Sequence, residues 1–498
     1  MRRASTSGPL AYDPRMLTAI RNGLVVDVER GSAARRDVLV DGPFIREVGA
    51  PGLAAPEGTR VIDATQRLVL PGLVNAHMHA HGALGRGAGD RWNLELLLNA
   101  APAISGRRTL QDKYLSAALG AVEMVSKGCT ACYDMAFEFP APTPEGVAAV
   151  AQAYADVGIR AVVAPMIADR TFYEAMPGLL DALPPDLRAR VDALRLAAPE
   201  ETLAAVRAAL TSWKAPRERV RPALGPTIPL HCSDDFMAAC RDLAKELDVG
   251  VQMHLAESRV QASVGRARYG RSLTAHLAQI GLLGPRFTAA HAIWLDDDEI
   301  GRLADAGASV AHNPGSNLRL GSGIARVRRM RERGLNVGVG TDGASSADNL
   351  NMFEATRLAS FVSRVVDDDP DRWISTREAL AMATIGSARA LGFDDVGRIA
   401  PGARADLVLL DARHVNYLPV NDAINQIVHA EDATAVRSVM VDGRLVVEEG
   451  RVTTVDVARL ASQAEAAAER LRASRADARI LADRMAPIIR QVCGSLAR

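Results

Sequence analysis

The spacing of apolar positions changes character along the chain. Over residues 17–69, short Val/Ile/Leu runs are broken every few residues by turn formers, as in TAIRNGLVVDVERG, DVLVDGPFIREVGA and TRVIDATQRLVL. That is the rhythm of closely spaced short strands, without room for crossover helices. The same texture returns over residues 404–453, in RADLVLLD, VRSVMVDGRLVVEEG and RVTTV. Two β-rich ends around a different middle predict one composite β-domain, a small sandwich assembled from residues 17–69 and 401–455. In the middle, residues 70–400, apolar runs of strand length alternate with amphipathic stretches. Strands are expected at Leu68–Asn75, Gly128–Asp134, Ile159–Ile167, Val220–Pro226, Gly250–His254, Phe287–His291, Ala308–His312 and Asn336–Asp342. Helical stretches such as Gln111–Val125, Thr202–Trp213, Asp234–Leu247 and Asp297–Ala306 fall between them. Strand–helix repeats over roughly 330 residues predict an α/β fold, the (β/α)8 TIM barrel. A doubly wound open sheet would put a glycine-rich turn after its first strand, where Val74-Asn75-Ala76-His77-Met78-His79 stands instead. Residues 456–498 are Ala- and Arg-rich with helical periodicity and are expected to form a helical tail, on the surface or against a partner subunit. Residues 1–16 are expected to be disordered or extended.

Composition narrows the partner rather than the fold. The chain has 498 residues, 48% apolar and 24% charged, with 59 basic and 59 acidic side chains. A balanced charge leaves no electrostatic footprint for nucleic acid or an anionic membrane, and 4% aromatics offer few stacking platforms. A small molecule becomes the expected partner, within a soluble, cytoplasmic homodimer or homotetramer. No long apolar run predicts a membrane span. Five scattered cysteines do not form a disulfide framework. Cys129 and Cys132 form a CxxC, but they lie on a short apolar run that reads as a buried strand rather than as the start of a redox-active helix. The basic run Arg326–Arg333 reads as the solvated face of a barrel helix.

Barrel enzymes carry their chemistry at the C-terminal ends of the strands. Here those ends hold His77 and His79 on the first, His254 on the fifth with Glu257 three residues on, His291 on the sixth, His312 on the seventh and Asp342 on the eighth. With His81, six of the ten histidines sit there. Side chains at i and i+2 of an extended segment share a face, so His77 and His79 can reach one cation. His254 and Asp342 complete a nitrogen–oxygen donor set suited first to Zn²⁺ and alternatively to Fe²⁺. Such a cation supplies hydroxide near neutral pH, so no Ser or Cys nucleophile is needed. Glu257 stands where it can shuttle a proton between water and a ring nitrogen. His291 can hold the attacking oxygen by a hydrogen bond, and Asp342 can take the water's first proton.

The segments PGLVNAHMHAHGALGRG, VQMHLAES, AAHAIWLDDDEI, AHNPGSNLRLGSG and VGVGTDGASSADNLNMFEATRLA, followed by PGARADLVLLD, occur in that order. In this the chain resembles the amidohydrolase superfamily, in its branch of heteroaromatic aminohydrolases and chlorohydrolases, over about residues 17–455. That branch holds cytosine, guanine, 8-oxoguanine, isoxanthopterin and S-adenosylhomocysteine deaminases together with s-triazine hydrolases. The resemblance implies that His77, His79, His254 and Asp342 bind one metal, that Glu257 shuttles the proton and that His291 orients the water. Binuclear members of the superfamily carry a carbamylated lysine at the end of the fourth strand. Val220–Pro226 contains no lysine, so a single metal is expected.

The substrate is less legible. Trp92 could stack on a flat heterocycle, and Ser346 lies close enough to Asp342 to line a pocket. Adenosine-type deaminases carry a histidine where Thr227 stands in Pro226-Thr227-Ile228-Pro229-Leu230-His231-Cys232-Ser233. That difference favours a free base, pterin or triazine-like ring over a nucleoside. His231 is displaced from the family position and is assigned no role, and His312 is expected to shape a turn. The leading expectation is a deaminase that replaces an exocyclic amine with oxygen. The alternative keeps the same site but cleaves an aryl chloride, an N-alkylamine or an amide or urea linkage. A catalytically idle binding protein is disfavoured by the complete donor set.

Overall fold

The computed structural model describes residues 17–106 and 108–497. The segment 1–16, for which an extended or disordered state is expected, lies outside them. The chain opens with β1 (Thr18–Asp27), β2 (Ser32–Asp41), β3 (Phe44–Gly49), β4 (Arg60–Asp63) and β5 (Arg67–Pro71). The middle carries β6 (Leu73–Met78), β7 (Cys129–Phe137), β8 (Arg160–Ile167), β9 (Val220–Pro226), β10 (Gly250–Leu255), β11 (Phe287–His291), β12 (Ser309–His312) and β13 (Asn336–Val339), with helices between successive strands. β14 (Leu407–Asp411), β15 (Val436–Val441), β16 (Arg444–Glu448) and β17 (Arg451–Val452) follow.

β6 to β13 pair in sequence order, each parallel to the next. The ring closes where Asp342 N–H donates to the His77 carbonyl at 3.0 Å and Thr341 N–H to Asn75 Oδ1 at 3.0 Å. This is the expected (β/α)8 barrel. Its strands are apolar on both faces because both are covered. Val74 and Ala76, Ala131, Tyr133 and Met135, and Val162 and Ala164 alternate into the barrel interior, which Leu391, Phe393 and Val396 help to fill.

The expected first barrel strand divides in two. Arg67–Pro71 pairs with β1 and β14 in the other sheet, and only Leu73–Met78 enters the barrel. Gly72 makes the crossing, where a Cβ would fall 2.0 Å from Thr130 Oγ1. A continuous apolar run cannot mark this switch, because both halves are buried. β13 also ends at Val339, so Asp342 stands on the loop beyond it.

The chain ends share one hydrogen-bonded sheet of order β17-β16-β15-β14-β5-β1-β2-β3, with β4 on β1. Its two contributions meet at the antiparallel pair β5–β14, with Leu68 opposite Leu410. Ile20 and Val38 share a core with Leu409 and Met440, so the sheet curls over itself. Arg160, wholly buried at the start of β8, ties this sheet to the base of the barrel: it binds Asp406 at 3.1 Å and Asp442 at 2.5 Å.

The C-terminal tail is a hairpin of two helices, Val457–Ser474 and Ala476–Leu496. Leu460, Ala464, Ala467 and Leu471 on the first, and Leu481, Met485, Ile489 and Cys493 on the second, are buried, and the hairpin packs on helices of the barrel. All five cysteines are buried free thiols, and burial pushes Cys129 up to about 12, as expected of core positions. The basic run forms a short helix whose arginines pair with Asp297, Glu332 and Glu378. Among the described residues, no helix is long and apolar enough to cross a membrane.

Candidate active site

The barrel brings the sequence-predicted donors together at its C-terminal mouth. Three imidazoles, those of His77, His79 and His254, place one ring nitrogen each within 4.8 Å of one another, and ring nitrogens of His77 and His291 lie equally close to each other and to a carboxylate oxygen of Asp342. His291 and Asp342 have φ of +69° and +64°, so the backbone leaves the strand direction in the left-handed region at both positions. Non-glycine residues rarely adopt that region, and where they do, function often accounts for it.

The hydrogen bonds behind the rings fix their tautomers. His79 Nδ1 faces the Met135 carbonyl at 2.9 Å, and His254 Nδ1 faces the Thr227 carbonyl at 2.7 Å. A carbonyl only accepts, so each Nδ1 carries a hydrogen. Gln252 Nε2 donates to the Ala76 carbonyl at 2.9 Å, which turns its Oε1 toward His77 Nδ1 at 2.7 Å. His77 is thereby protonated at Nδ1 too. Burial, then the neighbouring His77, brings His79 down to about 4; burial, then His77, His79 and His291, holds His254 well below its ordinary value. Both rings are therefore neutral and bare at Nε2, yet these two atoms lie 3.1 Å apart. Two lone pairs at that distance repel unless a cation lies between them. Tetrahedral zinc–nitrogen bonds of about 2.0–2.1 Å would space two ligand atoms by roughly 3.3 Å. Asp342 Oδ1 stands 3.4 Å from His79 Nε2 and 3.6 Å from His77 Nε2, which has no hydrogen-bond partner among the described residues. The donor set therefore fits a divalent cation.

Asp342 is anchored by Ser316 Oγ–H, which donates to Oδ2 at 2.5 Å, and by Gly343 N–H, which donates to Oδ1 at 2.6 Å. Glu257 Oε2 lies buried, without a hydrogen-bond partner among the described residues, 3.7 Å from His291 Nε2. Burial, then the charges of Asp342 and Glu95, raises the Glu257 carboxyl well above its ordinary value. His291 Nδ1 is held by Asn317 Oδ1 at 2.9 Å, which leaves Nε2 bare and aimed at Glu257 and Asp342. His312 is buried behind the mouth and outside these donor groups, in keeping with a structural position.

A cavity of about 250 Å³ opens over this cluster. Its floor carries His79, His254, Glu257, Asp342, Thr227 and Ser346, and its outer wall is mostly apolar, with Leu97, Leu98, Phe137, Phe139, Phe172 and Leu194 among its residues. Thr227 and Ser346 thus stand where the sequence reading put them. Trp92 does not: it is absent from the cavity lining, and its ring lies over Gly89 of its own loop, where a Cβ would fall 2.1 Å from it. His81 and His231 line the cavity although no role was expected for them.

Sequence reasoning missed the supports. Gln252 lies two residues before His254, hence on the same strand face, a spacing that could have marked it. It also missed the helix Leu94–Ser105, which forms much of the outer wall. Its sequence, LELLLNAAPAIS, is apolar nearly all round, the mark of a helix covered on both sides.

A parallel barrel with a cation-ready His/Asp cluster at its C-terminal mouth defines a metal-dependent barrel hydrolase. More specifically, the chain belongs to the amidohydrolase family, whose model matches residues 68–446. It is 37% identical over 431 residues to a 5-methylthioadenosine/S-adenosylhomocysteine deaminase of Symbiobacterium thermophilum, covering 85% of this chain and 90% of that one. An adenosine deaminase from Xanthomonas campestris, solved with bound zinc, matches with a TM-score of 0.81 and 28% identity, covering 92% of this chain and 98% of the other. An atrazine chlorohydrolase from Arthrobacter aurescens, also complexed with zinc, matches with a TM-score of 0.81 and 27% identity, covering 91% and 100%.

Proposed function

We propose that this chain is a mononuclear metal-dependent aminohydrolase, replacing an exocyclic amine on an N-heteroaromatic ring with oxygen and releasing ammonia. The observation that carries this reading is the pair of bare Nε2 atoms of His79 and His254, 3.1 Å apart, with Asp342 beside them and the buried Glu257 facing the same space. His77, His79, His254 and Asp342 would hold the cation, Zn²⁺ by preference and Fe²⁺ as the alternative, since both accept this donor set. When bound, the cation makes hydroxide available at neutral pH. β9 holds no lysine, in keeping with one metal.

The chain's own groups do the rest. His291 Nε2, bare because Nδ1 is engaged by Asn317, accepts a hydrogen bond from the attacking oxygen and keeps it in line with the ring carbon. Glu257, favoured in its protonated form by burial, gives its proton to the ring nitrogen. It then takes the remaining proton from the oxygen and delivers it to the departing amine, while the water's first proton, taken up by Asp342, restores Glu257 for the next turnover. Water and the amino ring thus become the oxo ring and ammonia, with no change in oxidation state.

The polar floor suits the reacting ring, and the apolar wall suits an uncharged substituent on it. Thr227 favours a ring without ribose at that point, whereas the deaminases above are named for adenosine and its thioethers. The apolar wall fits an apolar group on the ring, attached directly, as Thr227 favours, or carried at the 5′ position of a nucleoside, as the relatives' names suggest. The second reading, cleavage of an aryl chloride or an alkylamine, is favoured by the likeness to the atrazine chlorohydrolase.

Ammonia release by the zinc-loaded protein, measured across amino-purines, their nucleosides, pterins and amino-triazines, tests the proposal. Glu257→Gln should keep its metal and lose turnover by about two to four orders of magnitude. Silence on every amino ring with turnover of a chloro-triazine would move the assignment to the second reading. Full activity in Glu257→Gln would remove Glu257 from the mechanism.

A further inference from the structure

The helix Leu94–Ser105 supplies Leu94, Leu97, Leu98, Ala101, Pro102 and Ile104 to the cavity wall. It is poorly equipped to hold that place alone. It is 12 residues long, and Pro102 within it removes one helical hydrogen bond. What covers its other side is the C-terminal hairpin.

The contacts are specific. In the turn between the hairpin helices, Arg475 donates to the carbonyls of Ile104 and, at 3.1 Å, of Gly106, satisfying the end of the wall helix. Asn99, buried in the middle of the wall helix, donates through Nδ2 to the Ala482 carbonyl at 2.9 Å and accepts from Tyr173 Oη–H at 3.1 Å. Tyr173 itself lines the cavity. Further along, Arg190 reaches the Asp477 carbonyl at 3.1 Å and Arg484 pairs with Asp186 at 2.7 Å, which fastens the segment leading to the wall residues Leu194 and Leu196. At the start of the wall helix, Glu95 accepts from Ser258 Oγ–H at 2.8 Å, next to Glu257. The hairpin thus braces two separate stretches of the wall.

We propose that the C-terminal hairpin is a positioning element for the reaction, holding the wall helix against the cavity and setting how tightly the pocket closes on a substituent carried by the substrate ring. Arg475 and Asn99 are its positioning residues. This rests on the aminohydrolase reading for its substrate, but not for its mechanics.

Two measurements on the full-length, zinc-loaded protein test it: amide hydrogen exchange over residues 94–105, and KM and kcat on one amino ring with and without an apolar substituent. Arg475→Ala and, independently, Asn99→Ala should speed exchange across the wall helix. Both should raise KM for the substituted ring by about tenfold with kcat and bound metal little changed, and leave KM for the bare ring near its original value. Arg475→Lys should recover part of the loss. Unchanged exchange in both variants overturns the proposal, as does a fall in kcat at constant KM. If no amino ring is turned over, the aminohydrolase reading fails and the exchange measurement alone decides the brace.

Discussion

At the scale of single residues, the site is governed by which nitrogen of each histidine carries its hydrogen. The carbonyls of Met135 and Thr227 settle this for His79 and His254, and backbone geometry holds them in place; for His77 the choice rests on the amide of Gln252. Gln252→Leu should therefore weaken metal binding by roughly 10- to 100-fold while preserving the fold, as read by competition with a chelator. Affinity equal to wild type would show that the His77 tautomer is set elsewhere. His254→Ala, which removes a ligand, should lose the metal outright, whereas Glu257→Gln should retain it. Equal metal loss in these two would contradict the separation of ligand from shuttle. The candidate ligands stood out because histidine is scarce in this chain and strand ends are a small target. For Trp92, an aromatic after a strand end either lines a pocket or packs on its own loop, and nothing in the residue types distinguishes the two. Gln252 offered only its spacing two residues before His254, and Asn317 and Ser316 were not legible because amides and hydroxyls occupy many positions, and only the fold reveals which of them face a ring.

At the scale of elements, close approach decides where strands and turns can run. Gly340, between β13 and Asp342, has no room for a side chain: a Cβ would fall 2.3 Å from Asn313 Oδ1 and 2.8 Å from the His77 carbonyl. Gly340→Ala should push the Asp342 loop off β6 and lower both metal affinity and stability, measured by metal titration and thermal melts. A variant with wild-type affinity would mean that the loop yields without moving its carboxylate. Five of the eight barrel strands were readable within one residue from apolar runs, whereas β7 runs three residues further and β13 stops three residues sooner than its run suggested. The boundary at Gly72 was not readable, because a strand leaving one buried sheet and entering another keeps the same composition. The wall helix shows the opposite failure: its all-round apolar sequence was a visible sign of burial, but what buries it lies far along the chain.

Over the whole molecule, the two chain ends and the barrel are joined by a charge network that composition hides. Arg160 is fully buried between Asp406 and Asp442, with Arg219 and Arg404 also on Asp442. Arg160→Met would leave the buried Asp406 without its cation and weaken the hold on Asp442, and should destabilise the fold by about 3–5 kcal/mol, seen as a lowered denaturation midpoint. A midpoint equal to wild type would mean that the carboxylates find other partners or take up protons at no cost. The balanced overall charge said nothing of this, nor of the active site, whose field depends on a cation outside the count. Residues, elements and whole molecule combine in one proposed activity: the barrel assembles a one-metal site that exchanges a ring amine for oxygen. Turnover of an amino-heteroaromatic substrate in ¹⁸O-labelled water, followed by mass spectrometry and ammonia determination, tests it most directly. One labelled oxygen in the ring product and one ammonia per turnover, both abolished by chelation and restored by zinc, are predicted; product without label, or turnover that persists after complete metal removal, would contradict it.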